Sequence, residues 1–316
     1  MSSFALAPTQ IDEWAASHAA SFAPPVCNKL LHRAQLSVMF VGGPNARTDF
    51  HLDQASEFFY QLRGTLLLPT VQRGRRKLVT VPPGHVYLLP SRVPHSPQRP
   101  DAASLGFVLE RRRLAGELDG LRWYTDFDRC DRVLWEKYFQ CFDLGRDLVP
   151  VVHQFLASPE RAAGEPSPAS LVASPPFELN SDVDVPDPFP LDAWLDAHAA
   201  ELATGAVLPL FPGHPDREIN VRVCGGPAAQ APPPFEFETL LWQLRGSCRV
   251  RLGGGDDAPW HTMAAGVCAV VPAGVAFEVE RDAGSVGWWI TQDPCGNNAN
   301  NRALLEAEAM IKTESS

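Results

Sequence analysis

The sequence predicts a mainly β protein that contains two small β-barrels in one chain, with a few flanking helices. Its 316 residues include many short runs rich in Val, Leu, Phe and Tyr that alternate with Gly and Pro. This pattern is typical of antiparallel sandwiches and barrels. The two halves of the chain are also similar to each other, and such a long repeat indicates a duplicated domain.

The repeat can be followed from the start of each half to its end. Each half opens with an apolar spacing that predicts an amphipathic helix, at residues 11–20 and 191–200. Three further pairs of segments then follow in the same order: VMFVGGP (38–44) and VRVCGGP (221–227), EFFYQLRG (57–64) and TLLWQLRG (239–246), VPPGHVYLLPSRVPH (81–95) and MAAGVCAVVPAGVAF (263–277). The second and third pairs place a strand and a turn–strand–turn step in each barrel.

The repeat and a change in composition predict the domain boundaries. Residues 161–190 are crowded with Pro, Ser and Ala, and Pro fixes φ without donating a hydrogen bond, so this stretch is interpreted as a linker. The first barrel is therefore predicted at residues 1–160 and the second at 191–316. The last residues have a helical apolar spacing, which predicts a C-terminal helix in the second domain.

Composition excludes several classes of protein. With 45% hydrophobic and 20% charged residues the chain is typical of globular proteins, and it has no apolar run of about 18 residues that could span a bilayer. The net charge of -10 and the scattered basic residues argue against nucleic acid as a partner. The N-terminus has no signal-peptide pattern, and the seven cysteines contain no CxxC pair. We expect a cytoplasmic protein with reduced thiols and a small-molecule ligand.

Two histidines and one glutamate in the first half form a candidate metal site. His51 and Glu57 flank the predicted start of a strand, and His95 follows a turn. Two His and one carboxylate are the facial triad of non-haem Fe(II) enzymes, which leaves coordination positions open. The same ligands suit Zn, Mn or Ni, and the spacing alone is a weak signal. Taken one by one, these residues could equally be surface or hydrogen-bonded side chains.

The second half supplies an internal control. At the positions equivalent to His51, Glu57 and His95 it carries Pro233 or Pro234, Thr239 and Phe277, whereas the GGP, QLRG and turn motifs remain. Three structural residues would have no reason to disappear together from a barrel that is otherwise kept. The pattern favours a functional site that is present in the first barrel and absent from the second.

The motifs of the first half resemble one enzyme family. The blocks VGGPNARTDFH (41–51) and LPSRVPHSPQR (89–99), together with LERRR and ELDGLRWY further along, look like the eukaryotic single-chain 3-hydroxyanthranilate 3,4-dioxygenases. The close match covers residues 35–160. The resemblance implies that both barrels are cupins, which are double-stranded β-helix or jelly-roll barrels, and that the second is a vestigial, metal-free copy.

The resemblance also implies roles for single residues. His51, Glu57 and His95 would bind one Fe(II) per chain, with Glu57 also in contact with substrate. Arg47 would lie on the oxygen and substrate side of the iron and take part in catalysis. Two further positions complete the site: Arg99 would bind the substrate carboxylate, since a guanidinium grips a carboxylate through two parallel bonds, and Glu110 would hydrogen-bond the substrate and act in catalysis.

The chain departs from the family pattern at three places. Phe50 stands where the family has a tyrosine before the first ligand. One extra residue lies between Arg99 and Glu110, and we place it in a hairpin loop, because an insertion within the strand would turn Glu110 away from the site. The cysteine-bound second iron of bacterial relatives is not expected. Glu110 also neighbours three arginines and could be their ion-pair partner.

The implied reaction opens the ring of 3-hydroxyanthranilate with O₂. Its product, 2-amino-3-carboxymuconate semialdehyde, is the precursor of quinolinate on the route from tryptophan to NAD. Two alternatives remain: another cupin metalloenzyme, such as a thiol or quercetin dioxygenase or an isomerase, and a non-catalytic bicupin that binds small molecules. We expect a monomer, because the two barrels of a duplicated chain can pair as two subunits would.

Overall fold

The computed structural model describes residues 6–24, 27–253 and 257–314. Among them, no helix is both long enough and apolar enough to cross a membrane. In chain order the strands are β1 (Thr9–Gln10), β2 (Asn28–Arg33), β3 (Leu36–Gly42), β4 (Phe50–Leu52), β5 (Glu57–Arg63), β6 (Leu66–Gln72), β7 (Arg75–Val81), β8 (His85–Leu89), β9 (Leu105–Arg111), β10 (Asp119–Tyr124), β11 (Val133–Phe139), β12 (Phe189–Pro190), β13 (Val207–Pro209), β14 (Ile219–Gly225), β15 (Ala228–Gln230), β16 (Thr239–Arg245), β17 (Ser247–Leu252), β18 (His261–Ala264), β19 (Val267–Val271), β20 (Phe277–Arg281) and β21 (Val286–Gln292). The helices are α1 (Ile11–Ser17), α2 (Leu144–Leu156), α3 (Pro159–Ala163), α4 (Leu191–Ala197), α5 (Ala199–Leu202) and α6 (Asn301–Glu314), with a short 3-10 helix at Ala19–Phe22. The mainly β fold and the two opening helices, α1 and α4, are confirmed.

The first compact unit comprises Ser21–Phe189 and Pro294–Ser316. Its larger sheet has six strands in the order β12, β8, β5, β9, β3, β2, and smaller sheets are formed by β11, β10, β4 and by β6, β7. Residues 95–99 bridge β4 on one side and β6 on the other, which joins the smaller sheets into a second layer. An apolar core fills the space between the layers, including Phe59, Leu68 and Val108. We call this unit the first barrel.

The second compact unit comprises Met1–Ala20 and Pro190–Asp293. A six-stranded sheet in the order β1, β19, β16, β21, β14, β13 faces a four-stranded sheet in the order β15, β20, β17, β18. Cys224, Leu241, Val250 and Phe277 belong to the core that they enclose. This unit is the second barrel. Its strand β20 is equivalent to residues 95–99 of the first barrel, as the repeat predicts.

Alternation of side chains explains why these segments form strands. In β14 the exposed residues Asn220 and Arg222 alternate with the buried Ile219, Val221 and Val223. Successive side chains of a strand point to opposite faces, so this pattern buries one face and solvates the other. By contrast, β9 is buried along its whole length, as expected for a strand at the centre of a covered sheet.

Both ends of the chain differ from the predicted boundaries of 1–160, 161–190 and 191–316. Residues up to Ala20 group with the second barrel, because Thr9 and Gln10 pair with Cys268 and Val267 at the edge of its larger sheet. The predicted C-terminal helix is present as α6, but it groups with the first barrel. Within that unit the side-chain amide of Asn297 donates a hydrogen bond to the Ser56 hydroxyl at 3.0 Å.

Residues 161–189 of the predicted linker belong to the first barrel and are hydrogen-bonded to it. The hydroxyl of Ser170, itself buried, donates to the Leu134 carbonyl at 2.8 Å, and the Val185 amide donates to the side chain of Gln72 at 2.9 Å. Val185 is 1% exposed and completes the apolar core of the first barrel. These contacts give the stretch a fixed path where the sequence indicated only a linker.

Candidate active site

Three strand-like segments of the first barrel bring the predicted metal ligands together. His51 lies on β4, Glu57 opens β5, and His95 lies on the bridging segment after β8. The backbones of His51 and His95 form a two-way bridge, with N–H to carbonyl distances of 2.7 and 3.1 Å. One ligand atom from each of the three side chains lies within 4.8 Å of the others. All three residues are buried, so the site is shielded from bulk water.

Hydrogen bonds set the tautomer of both histidines. His95 Nδ1 lies 2.9 Å from the Val93 carbonyl oxygen, which can only accept, so Nδ1 carries a proton, while Nε2 is hydrogen-bonded to Glu57 Oε1 at 3.1 Å. His51 Nε2 lies 2.7 Å from Asp119 Oδ2. Attraction and hydrogen bonds from Arg113 and His51 outweigh burial and lower the pKa of Asp119, so this carboxylate also accepts. The ligand atoms that remain for a cation are His51 Nδ1 and His95 Nε2, and at His95 the cation would replace the hydrogen bond with Glu57.

Two other groups of acidic and histidine side chains are close enough to hold a metal, but Arg113 already binds two carboxylates of each. These groups are His51, Asp53 and Asp119, and Asp53, Glu57 and Glu110. Arg113 donates to Asp53 at 2.7 Å, to Glu110 at 2.7 Å and to Asp119 at 2.8 and 2.9 Å. In the part of the chain that the structure describes, only the group of His51, Glu57 and His95 contains no carboxylate bound by Arg113.

The charges around the triad fit a divalent cation. Four further buried carboxylates and three arginines lie around the triad: Asp49, Asp53, Glu110 and Asp119, with Arg47, Arg99 and Arg113. Burial acts to raise the pKa of Glu57, but His95, His51 and Arg113 together hold it well below its usual value. Glu57 is thus ionised at neutral pH, and buried anions of this kind need a compensating positive charge.

A cavity of about 580 Å³ opens over the triad, within the usual size range of small-molecule sites. All six predicted site residues line it: Arg47, His51, Glu57, His95, Arg99 and Glu110. Apolar walls come from Phe59, Val108 and Trp123, and from one face of α2 that includes Val152 and Phe155. The sequence analysis did not identify α2 or Trp123 as part of the cavity.

Arg99 is almost fully buried and has free hydrogen-bond donors. It is 1% exposed, and its Nε and Nη2 atoms have no hydrogen-bond partner. Burial outweighs the attraction of Glu57 and lowers the pKa of Arg99 to about 10, so the side chain remains a cation at neutral pH. Gly106 makes room for it, because a Cβ there would lie 2.9 Å from Nη2. A buried cation with unused donors is suited to bind an anionic group.

Glu110, on β9, and Arg47, in the loop between β3 and β4, both line the cavity. Glu110 pairs directly with Glu57 in the antiparallel register of β5 and β9, and it lines the cavity. Burial and the charge of Glu57 outweigh the attraction of Arg113 and raise the pKa of Glu110. Arg47, whose side chain is 28% exposed, forms an ion pair with Asp49.

The second barrel keeps the arginine but not the ligands. Thr239 and Phe277, at the positions of Glu57 and His95, are both 1% exposed, and among the described residues no potential metal-binding group lies in this unit. Arg281 occupies the position of Arg99, and its Nη1 donates to Gln243 at 2.8 Å. Both arginines have a buried Nε without a partner, and Nη2 of Arg99 is a second buried donor without one. The buried arginine is therefore a feature of the repeat, and its unused donors distinguish the first barrel.

Comparisons with known proteins identify the family of the chain. The family model of 3-hydroxyanthranilic acid dioxygenase matches residues 3–156. Curated 3-hydroxyanthranilate 3,4-dioxygenases from Rattus norvegicus and Homo sapiens are each 42% identical to the chain, covering 90% and 89% of it and 96% and 94% of their own lengths. Among solved structures, oxalate decarboxylase from Bacillus subtilis aligns with a TM-score of 0.45 at 16% identity, covering 82% of this chain and 68% of that one. The chain belongs to the 3-hydroxyanthranilate 3,4-dioxygenase family.

Proposed function

We propose that the cavity of the first barrel is the active site, where one Fe(II) bound by His51, Glu57 and His95 serves the ring opening of 3-hydroxyanthranilate by O₂. Both oxygen atoms enter the product, 2-amino-3-carboxymuconate semialdehyde. The observation that carries the proposal is the triad itself: two imidazoles and one carboxylate, none of them hydrogen-bonded to Arg113, beneath a cavity of suitable size. When bound, Fe(II) supplies open coordination positions and the redox chemistry that this reaction requires.

The protein groups orient the substrate and handle its protons. Arg99 offers two unused N–H donors, so it is our candidate for the substrate carboxylate. Glu110 faces the cavity beside Glu57, and its raised pKa suits it to accept a proton from the hydroxyl group of the substrate. Arg47, held by Asp49, places a further cation at the more exposed side of the cavity, where it would favour developing negative charge.

Ligand chemistry supports iron without excluding other metals, so the test compares metals directly. The chain is stripped of metal and reloaded without oxygen with Fe(II), Mn(II), Ni(II) or Zn(II). O₂ uptake and the absorbance of the product are then followed after addition of 3-hydroxyanthranilate. We expect uptake and product in equal amounts with Fe(II) only. Turnover with Zn(II), or Fe(II)-loaded chain that consumes no O₂, would contradict the proposal.

We further infer that the enzyme acts as a monomer in the cytoplasm. All seven cysteines are free thiols and six are buried, which suits a reducing compartment. Light scattering of the metal-loaded chain tests the first point, since a monomer has the chain mass of 34.6 kDa. A mass of twice this value would contradict it.

A further inference from the structure

A buried carboxylate, Asp119, is hydrogen-bonded to His51, one of the proposed metal ligands. Asp119 is the first residue of β10, the strand that pairs with β4, and this pairing brings it to His51 although 68 residues separate them. Its Oδ2 atom lies 2.7 Å from His51 Nε2, and neither residue is more than 4% exposed. The His51 ring is therefore hydrogen-bonded to a carboxylate that does not itself line the cavity.

Arg113 fixes this carboxylate in turn. Its Nε donates to Asp119 Oδ1 at 2.9 Å and its Nη2 to Asp119 Oδ2 at 2.8 Å. The same guanidinium donates through Nη1 to Glu110 at 2.7 Å. A planar guanidinium presents its donors in a rigid fork, so the carboxylates that it binds are held in a fixed arrangement. One side chain thus connects the support of His51 with the acidic group in the cavity.

We propose that Asp119, held by Arg113, is a positioning residue that keeps the proton of His51 on Nε2 and so presents Nδ1 to the metal before the metal arrives. His95 has the opposite arrangement, with its proton on Nδ1 facing the Val93 carbonyl. The two histidines would therefore bind through different nitrogens. A carboxylate behind a ligating imidazole fixes its tautomer and orientation and increases its basicity.

Asp119 also has a close structural counterpart that lacks this role. Glu117, two residues earlier in the chain, is 5% exposed and forms an ion pair with Arg111 at 2.6 and 2.7 Å. Like Asp119, Glu117 is a buried carboxylate that accepts hydrogen bonds from a guanidinium. Among the described contacts it has no hydrogen bond with a histidine of the triad. Glu117→Gln therefore reproduces the loss of a buried charge without touching a metal ligand.

The inference rests on the proposed function only for the position of the metal, and its test needs no turnover. Co(II) or Fe(II) alone is titrated without oxygen into the full chain against a coloured chelator. We expect Asp119→Asn to weaken metal binding by about 10- to 100-fold, whereas Glu117→Gln stays within about twofold of wild type. Equal losses in both variants, or wild-type affinity in Asp119→Asn, would overturn the inference.

A second measurement on the unmodified chain covers the case in which Asp119→Asn does not fold. In the Zn(II)-loaded protein, long-range ¹H–¹⁵N spectra of the histidine side chains report which ring nitrogen binds the metal. We expect Nδ1 for His51 and Nε2 for His95. Binding of His51 through Nε2 would refute the inference, while the proposed function would stand. A chain that binds metal in the expected manner but consumes no O₂ would refute only the proposed function.

Discussion

At the residue scale, a comparison of Arg99 with Arg281 identifies Arg99 as the candidate residue for substrate recognition. Both are buried at the same position of the repeat, and both approach a glycine, Gly106 or Gly287, that leaves room for the guanidinium. Arg281 uses Nη1 on Gln243, whereas Arg99 has two donors without a partner. This difference makes Arg99 the candidate carboxylate anchor and Arg281 its control.

Arg99→Ala should reduce the preference for 3-hydroxyanthranilate over 2-aminophenol, which has the chelating pair but no carboxylate. The loss of a charged hydrogen bond costs about 1.5–3 kcal/mol, or roughly 10- to 100-fold in kcat/KM for the native substrate only. Arg99→Lys should recover part of this loss, because it keeps the charge but not the fork. Arg281→Ala should leave the ratio unchanged. An equal loss on both substrates would move the role of anchor to Arg47.

Single ligands should be needed for metal retention but not for folding. His95→Ala removes one of three ligands, so we expect the purified chain to lose its iron while its circular dichroism stays that of wild type. His153 lines the same cavity but belongs to no group of potential ligands among the described residues. His153→Ala should therefore retain iron, measured by elemental analysis. Full iron occupancy in the His95→Ala variant would show that His95 is not a metal ligand.

At the element scale, α2 forms a wall of the cavity and packs through Phe155 against Trp123 and Trp135. Phe155 of α2 stacks on Trp123 of β10, with ring centroids 4.1 Å apart and an interplanar angle of 14°. Trp123 lines the cavity directly. This stack, together with the apolar contacts of Leu148 and Val151, holds α2 at that side of the cavity.

Phe155→Ala should loosen this wall and destabilise the first barrel. Deleting a buried Phe side chain typically costs about 3–5 kcal/mol, and Phe155 is 5% exposed. Urea unfolding of the metal-loaded chain measures this loss, and KM for 3-hydroxyanthranilate should rise with it. The neighbouring Leu156 is 50% exposed, so Leu156→Ala should change stability by less than about 0.5 kcal/mol. Similar losses in both variants would argue against the stack as the source of stability.

The sequence predicts the helices and strands better than the long-range contacts between them. The motifs of the repeat place β5, β8 and the opening helices correctly, because each depends on local periodicity and turn residues. Asp119 and Arg113 were not identified as part of the site, although the motifs LERRR and ELDG contain them. Their contacts with His51 arise from strand pairing across 68 residues, which no local pattern reports. The only signal was the row of arginines beside Glu110, and Arg113 is indeed its partner.

At the scale of the whole molecule, the repeat indicates that the candidate site lies in the first barrel and not in the second. Sequence comparison of the halves located the triad, because its three positions hold Pro, Thr and Phe in the second copy. It could not show which sheet each terminus joins, since two residues of strand, such as Thr9–Gln10, carry no signal for their partner. The ends of the chain therefore had to be placed by the structure.

The second barrel should not take part in the chemistry. Thr239→Ala removes a hydroxyl that has no hydrogen-bond partner, so kcat/KM for 3-hydroxyanthranilate and iron content should both stay within about twofold of wild type, in line with a small stability effect. Steady-state rates and metal analysis of the same preparation check this. A large fall in rate at full iron content would assign a catalytic part to the second barrel.

The number of irons per active chain tests the single-site model most directly. Metal-free chain is titrated with Fe(II) in the absence of oxygen, and the bound iron and the rate of product formation from 3-hydroxyanthranilate and O₂ are measured at each step. We expect the rate to rise in proportion to bound iron and to level off at one iron per chain, because among the described residues only the first barrel holds a complete triad. Activity that needs a second iron, or that is unchanged when no iron is bound, would contradict a single iron site at His51, Glu57 and His95.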